Sequence, residues 1–164
     1  DVTFLIAGGD EQEIAHLGGQ IEREGVNNVR LLGFMRHVEL VPYLYASDVL
    51  IIPPASSAFQ RTGPTTVVPM KLYTYLAAGR AIVAPDRKDI RQLLRHEENA
   101  LLCAPDDAES CAQAICRTLD SSPLAQELSE AAQVDAEQYT WRMRARRIRK
   151  FLERRVREEK KLFS

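Results

Sequence analysis

The residues best suited to chemistry lie between Gly63 and Asp86, in the segment GPTTVVPMKLYTYLAAGRAIVAPD. A Thr-rich polar loop runs there into a helical pattern whose first turn holds Pro69, and Gly79 closes the pattern before an apolar run. Proline has no N–H to offer, so the backbone amides of Met70, Lys71 and Leu72 are expected to be the unpaired donors of the helix start. Such a terminus attracts anions. Lys71 adds a cation in the first turn, where the helix dipole disfavours it, which points to an anionic partner. The competing reading makes Lys71 a solvated surface lysine and lets Thr65 or Thr66 cap the helix.

Other chemistries find less support. No G-x-x-x-x-G-K-[ST] loop is present, and the Gly8-Gly9 turn of FLIAGGDEQEIAHL lacks the G-x-G-x-x-G spacing and a fitting acidic residue on the next strand, which disfavours a dinucleotide-dependent dehydrogenase. His16, His37 and His96 form no i,i+4 pair and lie near no Cys, so no metal site is expected. Ser56-Ser57 lacks the flanking glycines of a nucleophile elbow. Cys103, Cys111 and Cys116 are odd in number and contain no C-x-x-C, so they read as buried free thiols of a reducing compartment, the cytoplasm.

Alternating elements must position the Gly63–Asp86 segment. Val2 to Ala7, Val29 to Leu32, Val49 to Ile52, Ala81 to Ala84 and Ala100 to Cys103 have the continuous apolar character of parallel strands buried on both faces. Between the first two, Asp10 caps a helix with Glu13 at the capping-box position, Ile14, Leu17 and Ile21 fall on one side, and Gly25 ends it. Helical patterns over Glu39 to Ala46, Val68 to Ala78 and Asp89 to Glu97 fill the later gaps. Repeated strand-helix units predict an α/β fold, a Rossmann-like open parallel sheet with flanking helices. In such a sheet ligands bind beyond the carboxyl ends of the strands, and the loop before Met70 leaves the third strand at that edge.

Three helices are expected after the last strand: Ala108 to Leu119, Leu124 to Gln138 opened by Pro123, and a long basic one over 141–161 capped by Thr140. The last places Ala145, Ile148, Leu152 and Val156 on one stripe opposite a basic face. Residues 142–161 hold eleven of the 22 Lys and Arg and three of the 23 acids. The favoured reading packs this stripe on the domain with the charges in water, and the alternative is peripheral contact with an anionic membrane surface. No nucleic-acid partner is expected, because aromatic residues are not interleaved with the arginines.

With 164 residues, 45% of them apolar, a single domain over 1–164 could bury roughly two thirds of its unfolded surface, which excludes a disordered chain. No apolar run approaches the roughly 20 residues of a membrane span, and the first residues lack a basic leader with a cleavage site. The chain opens almost directly inside a strand, which reads either as an ordinary first strand or as a fragment cut from a larger protein.

Taken in order, FLIAGG, NVRLLGF, ELVPYLYASDVLIIPP, PMKLYTYLAAGRAIVAPD, ENALLCAPDD and YTWRMRARRI resemble the carboxyl-terminal domain of the retaining GT-B glycosyltransferases of family four, the glycosyl transferase group 1 type. The resemblance implies the donor-binding half of an enzyme that transfers a sugar from a nucleotide-diphosphate sugar to an acceptor with retention of configuration, without metal or further cofactor. It also implies an amino-terminal acceptor domain outside this chain. A central strand, with the loop that brings an Arg and a Lys to the diphosphate, would be missing ahead of Asp1. Its loss would divide the remaining strands into groups of two and three.

Carried over by position, Gly33, Phe34, Met35 and Arg36 would face the nucleobase. Gly63, Thr65 and Thr66, with Val68, Pro69, Met70 and Lys71, would face the sugar and diphosphate, Thr66 and Lys71 in the catalytic places. The family's two glutamates fall on Thr66 and Thr74 here, and both are replaced. A Thr at 74 could offer the ribose one neutral hydrogen bond in place of charge-assisted ones, a loss on the order of 1 to 2 kcal/mol and about ten- to thirtyfold in donor binding. The alternative implied by the two threonines is a degenerate, non-catalytic nucleotide-sugar-binding or interaction module.

Overall fold

The computed structural model describes residues 2–54 and 68–162, with the side chains of the last helix described as far as Glu158. The chain forms two compact units, Asp1–Ala46 and Ser47–Ser164, where the sequence leads one to expect a single domain. Among the described residues the strands form two hydrogen-bonded sheets, one in each unit. Their grouping into two and three is the one the family resemblance implies.

In the smaller unit, β1 (Phe4–Ala7) pairs in parallel with β2 (Val29–Gly33), and α1 (Glu11–Arg23) connects them. Asp10 caps α1 as expected. Its carboxylate accepts from the Glu13 N–H at 2.8 Å, while the Asp10 N–H donates back to the Glu13 carboxylate at 3.0 Å. Ile14, Leu17 and Ile21 are half-buried, and α2 (His37–Ala46) completes the unit. The expectation of strands buried on both faces fails here. Leu5 is 45% and Ile6 38% exposed, because a two-stranded ribbon with one helix between its strands lacks the cover of a full α/β sheet.

In the larger unit the expectation holds in full for the central strand, while Val49, Ile51 and Leu102 of the flanking strands are half-buried. β3 (Val49–Ile51), β4 (Ala81–Pro85) and β5 (Leu101–Cys103) are parallel with β4 in the centre, and every residue of β4 is buried. α3 (Met70–Ala78) precedes β4 and stops at Gly79, whose φ of +60° suits glycine and whose N–H donates to the Leu76 carbonyl. α4 (Ala108–Leu119) packs on all three strands, and α5 (Ser122–Ala136) packs on β4 and α3. Ile52, Leu72, Leu76, Ile82, Ala84, Ile90, Leu94 and Ala132 form the core.

Three expectations need correction in this unit. Asp89 to Glu97 forms only a 3-10 turn over Ile90–Gln92, because Asp89 spends its carboxylate on Arg87 instead of capping a helix, and the Asn99 side chain captures the Arg95 N–H at 2.7 Å. Ile90, Leu93 and Leu94 are nevertheless buried, as their pattern requires. Cys116 is exposed while Cys103 and Cys111 are buried, since it lies on the outer side of α4. The last helix, α6 (Trp141–Leu162), begins at the expected residue, and Thr140 Oγ1 accepts from the Met143 N–H at 3.2 Å. Its stripe does not pack on the domain: every described residue from Arg144 to Glu158 is exposed. Its contact with the rest of the unit is made chiefly through a 3-10 turn at Glu137–Tyr139. No helix among the described residues is long and apolar enough to cross a membrane.

Asn99 is fully buried and ties two distant segments together. Its amide donates to the Leu93 carbonyl at 3.0 Å and to the Asp135 carboxylate of α5 at 2.7 Å, and Arg95 pairs with the same carboxylate at 2.8 Å. Replacing it leaves buried polar groups unpaired. Asn99→Ala is expected to lower unfolding free energy by about 1–3 kcal/mol in urea titration; an unchanged midpoint would contradict this role.

Candidate functional site

α3 runs back along the sheet to feed β4 at its amino end, so its own start lies at the carboxyl edge of the three strands, where α/β sheets bind ligands. Leu72 and Leu76, one turn apart and fully buried, hold it there. Pro69 is the N-cap residue, with φ −57° and ψ 126°, buried and without a side-chain hydrogen bond to the first turn. One expected donor is already used: the Leu72 N–H bonds the Pro69 carbonyl at 3.0 Å. This tight first turn leaves the N–H groups of Met70 and Lys71 without an acceptor among the described residues.

Val68 packs against the core and is half-buried, so it supports the helix start more than it faces a ligand. Met70 is 69% exposed, and Lys71 is exposed with no ion-pair partner among the described residues. Thr74 is half-buried one turn further along α3. Gly63, Thr65 and Thr66, including the expected catalytic place at Thr66 and the alternative cap, lie outside the described residues.

Gly33, Phe34, Met35 and Arg36 belong to the smaller unit. Gly33 ends β2 with φ +68°, and its carbonyl accepts from the Gly8 N–H at 2.7 Å. Phe34 is 81% exposed, an aromatic face open to stacking, and Met35 is half-buried. Arg36 is already engaged. Its N–H donates to the Glu39 carboxylate at 2.9 Å, and its guanidinium donates to that carboxylate at 2.6 and 3.0 Å. Arg36 holds the Glu39 carboxyl below its ordinary range.

The carboxyl edge of β4 carries a charged group that sequence reasoning left aside. Arg87 forks onto Asp89 at 3.0 and 2.5 Å, and Arg91 pairs with Asp86. Burial pushes the Asp89 carboxyl up, but the hydrogen bonds and charge of Arg87 outweigh it and leave the group below its ordinary value. Asp106, after β5, donates its N–H to the Pro54 carbonyl after β3 at 3.0 Å, and its charge acts on Arg87. The alternation D-R-K-D directly after a buried strand was the available signal.

The cysteines and histidines offer no competing centre. Burial first, and the neighbouring Cys111 second, push the Cys103 thiol up to about 12, far from a nucleophile's range. His96 Nδ1 accepts from the Leu102 N–H at 2.9 Å, a structural role. Among the described residues no group of three His, Cys, Asp or Glu could hold a metal ion.

The fold and this edge define an α/β domain of the kind that ends GT-B glycosyltransferases. The family model for "Glycosyl transferases group 1" matches residues 1–121, and the chain belongs to that family. It is 27% identical over 89 residues to the amylovoran biosynthesis glycosyltransferase AmsK of Erwinia amylovora, a match covering 54% of this chain and 21% of that protein. Among solved structures, Anabaena Alr3699/HepE in complex with UDP superposes with a TM-score of 0.67 at 22% identity, over 84% of this chain and 36% of that one. Sucrose-phosphate synthase of Thermosynechococcus elongatus gives 0.76 at 20% identity, over 94% and 38%. The chain thus spans about a fifth of the curated relative and under two fifths of these solved ones.

Removing Arg87 strands a buried carboxylate. Arg87→Gln is expected to cost about 3 kcal/mol at pH 7. Because Asp89 is depressed in the folded state, its contribution is present above the unfolded value of about 4 and disappears as pH falls through the lower folded value. The gap between wild type and variant should therefore close toward pH 2 in denaturant titrations, and a gap that widens on acidification would contradict the assignment.

Proposed function

We propose that this chain is the donor-binding half of a retaining family-four glycosyltransferase, with the sugar donor's diphosphate seated on the start of α3. The observation that carries the reading is the pair of amides at Met70 and Lys71, which with the Lys71 side chain have no partner among the described residues, at the carboxyl edge of a parallel sheet. Alr3699/HepE has been crystallised with UDP and with UDP-glucose, which makes a UDP-sugar the first donor to test.

In this reaction the bond from the anomeric carbon to the diphosphate oxygen breaks, and a bond to the acceptor oxygen forms on the same face of the sugar. The acceptor's hydroxyl proton passes to the leaving diphosphate. Negative charge grows on that leaving group, and the Met70 and Lys71 amides with the Lys71 ammonium stabilise it without reorganising. The family resemblance assigns Thr66 to the sugar and Phe34 to the base, and both roles rest on that resemblance alone. The acceptor is held by an amino-terminal domain of the whole enzyme, which works in the cytoplasm.

A second reading, a binding module without turnover, is favoured by Thr74, which stands where the family resemblance places a ribose-binding glutamate. Calorimetry separates the two readings. Binding of UDP-glucose, weakened about ten- to hundredfold by Lys71→Ala, is expected of the donor site. Thr74→Glu should tighten binding about tenfold or more. Transfer by the whole wild-type enzyme would dispose of the second reading. No binding to any UDP-, GDP- or ADP-sugar would sink the first.

A further inference from the structure

β5 has β4 on one side and, on the other, only an isolated parallel bridge between His96 and Ala100 among the described residues. Alternate residues of a parallel strand bond to the same neighbour. The Cys103 carbonyl turns inward and accepts from the Asp86 N–H at 2.8 Å, so Ala100 and Leu102 turn their backbone groups to the outer edge. The turn that leads into the strand occupies that edge. The Glu97 N–H donates to the Ala100 carbonyl at 2.9 Å, and His96 Nδ1 accepts from the Leu102 N–H at 2.9 Å. Glu97 makes the reversal at φ +62°, an uncommon region for a residue with a Cβ, and its carboxylate pairs with Arg117 of α4 at 2.6 Å. Open strand edges are templates for further pairing, and here one imidazole nitrogen stops the outward N–H.

We propose that His96 is a pH-sensitive latch on the outer edge of β5: the neutral ring holds the Leu102 N–H, and the protonated ring releases it. An imidazole accepts only through a nitrogen that carries no proton. With Nδ1 as the acceptor, the neutral ring keeps its proton on Nε2, which lies 4.0 Å from the Glu97 carboxylate. The proton taken up on acidification therefore goes to Nδ1, where it meets the Leu102 N–H head on. Charged groups surround the ring on both sides of the balance. The Glu97 and Asp86 carboxylates lie close enough to feel its charge and favour the protonated form. Arg91 and Arg95, which line the same hollow as His96 and Leu102, oppose it, and Arg117 draws on Glu97. Any gain from Glu97 comes through the Nε2 side and leaves the Leu102 N–H without its acceptor. The inference stands apart from the donor reading, since neither His96 nor Leu102 belongs to the start of α3.

NMR of the ¹⁵N-labelled chain reads both the ring and the amide. The neutral His96 ring should carry its proton on Nε2. As pH falls, the Leu102 amide should lose about tenfold or more of its protection from hydrogen exchange, relative to the intrinsic rate, along the titration curve of the His96 ring itself. Amides of the buried β4 should keep theirs, which separates a local release from unfolding. His96→Asn offers an oxygen that does not titrate in the place of Nδ1, so Leu102 should stay protected across the same pH range. His96→Leu offers no acceptor and should leave it unprotected throughout. The wild-type measurements decide the matter even where a variant fails to fold. A neutral ring protonated on Nδ1 would overturn the proposal, as would Leu102 protection that ignores the His96 titration, or a pH dependence that persists in His96→Asn.

Discussion

A helix that starts without a capping side chain leaves backbone N–H groups in need of an acceptor, and in this molecule that deficit falls at the carboxyl edge of a parallel sheet. Pro69 creates it. Its ring fixes φ and supplies no side-chain acceptor, and its carbonyl takes the Leu72 N–H, so the turn is tight and the two preceding amides have no acceptor among the described residues. Lys71 compounds the positive potential of the helix start instead of offsetting it, an arrangement that costs the isolated helix and favours an anionic ligand.

The surroundings hold that start in place. Leu72 and Leu76 anchor α3 in the core, Gly79 ends it one residue before the turn into β4, and β4 is buried along its whole length between two parallel neighbours. The charged pairs after β4 satisfy polar groups at the same edge, Arg87 with Asp89 most deeply. Asn99 fastens α5 to the turn after Leu93 through hydrogen bonds to Asp135 and to the Leu93 carbonyl.

Local signals in the chain were legible because they are decided within a few residues. The Asp10 and Glu13 capping box, the glycine stop at Gly79, the Thr140 cap and the buried strand β4 all follow from such short-range chemistry. Long-range pairing was not. Asn99 reaches Asp135 across 36 residues and takes the Arg95 N–H that a continuing helix needs, so the periodicity of Ile90, Leu93 and Leu94 reported burial correctly and helix length wrongly. The apolar runs at β1 and along α6 show the same limit, since a pattern records that a face avoids water without recording what covers it. Pro69 was readable as the residue at the start of α3, whereas the pairing of Arg36 with Glu39 depends on side-chain geometry that spacing only permits.

Whether the start of α3 seats a diphosphate can be read at its own backbone. In a titration of the ¹⁵N-labelled chain with UDP-glucose followed by amide NMR, the Met70 and Lys71 resonances should move farthest and move downfield, as amides do when they donate to a phosphate oxygen. Saturable shifts concentrated on other amides, with those two unmoved, would contradict the account.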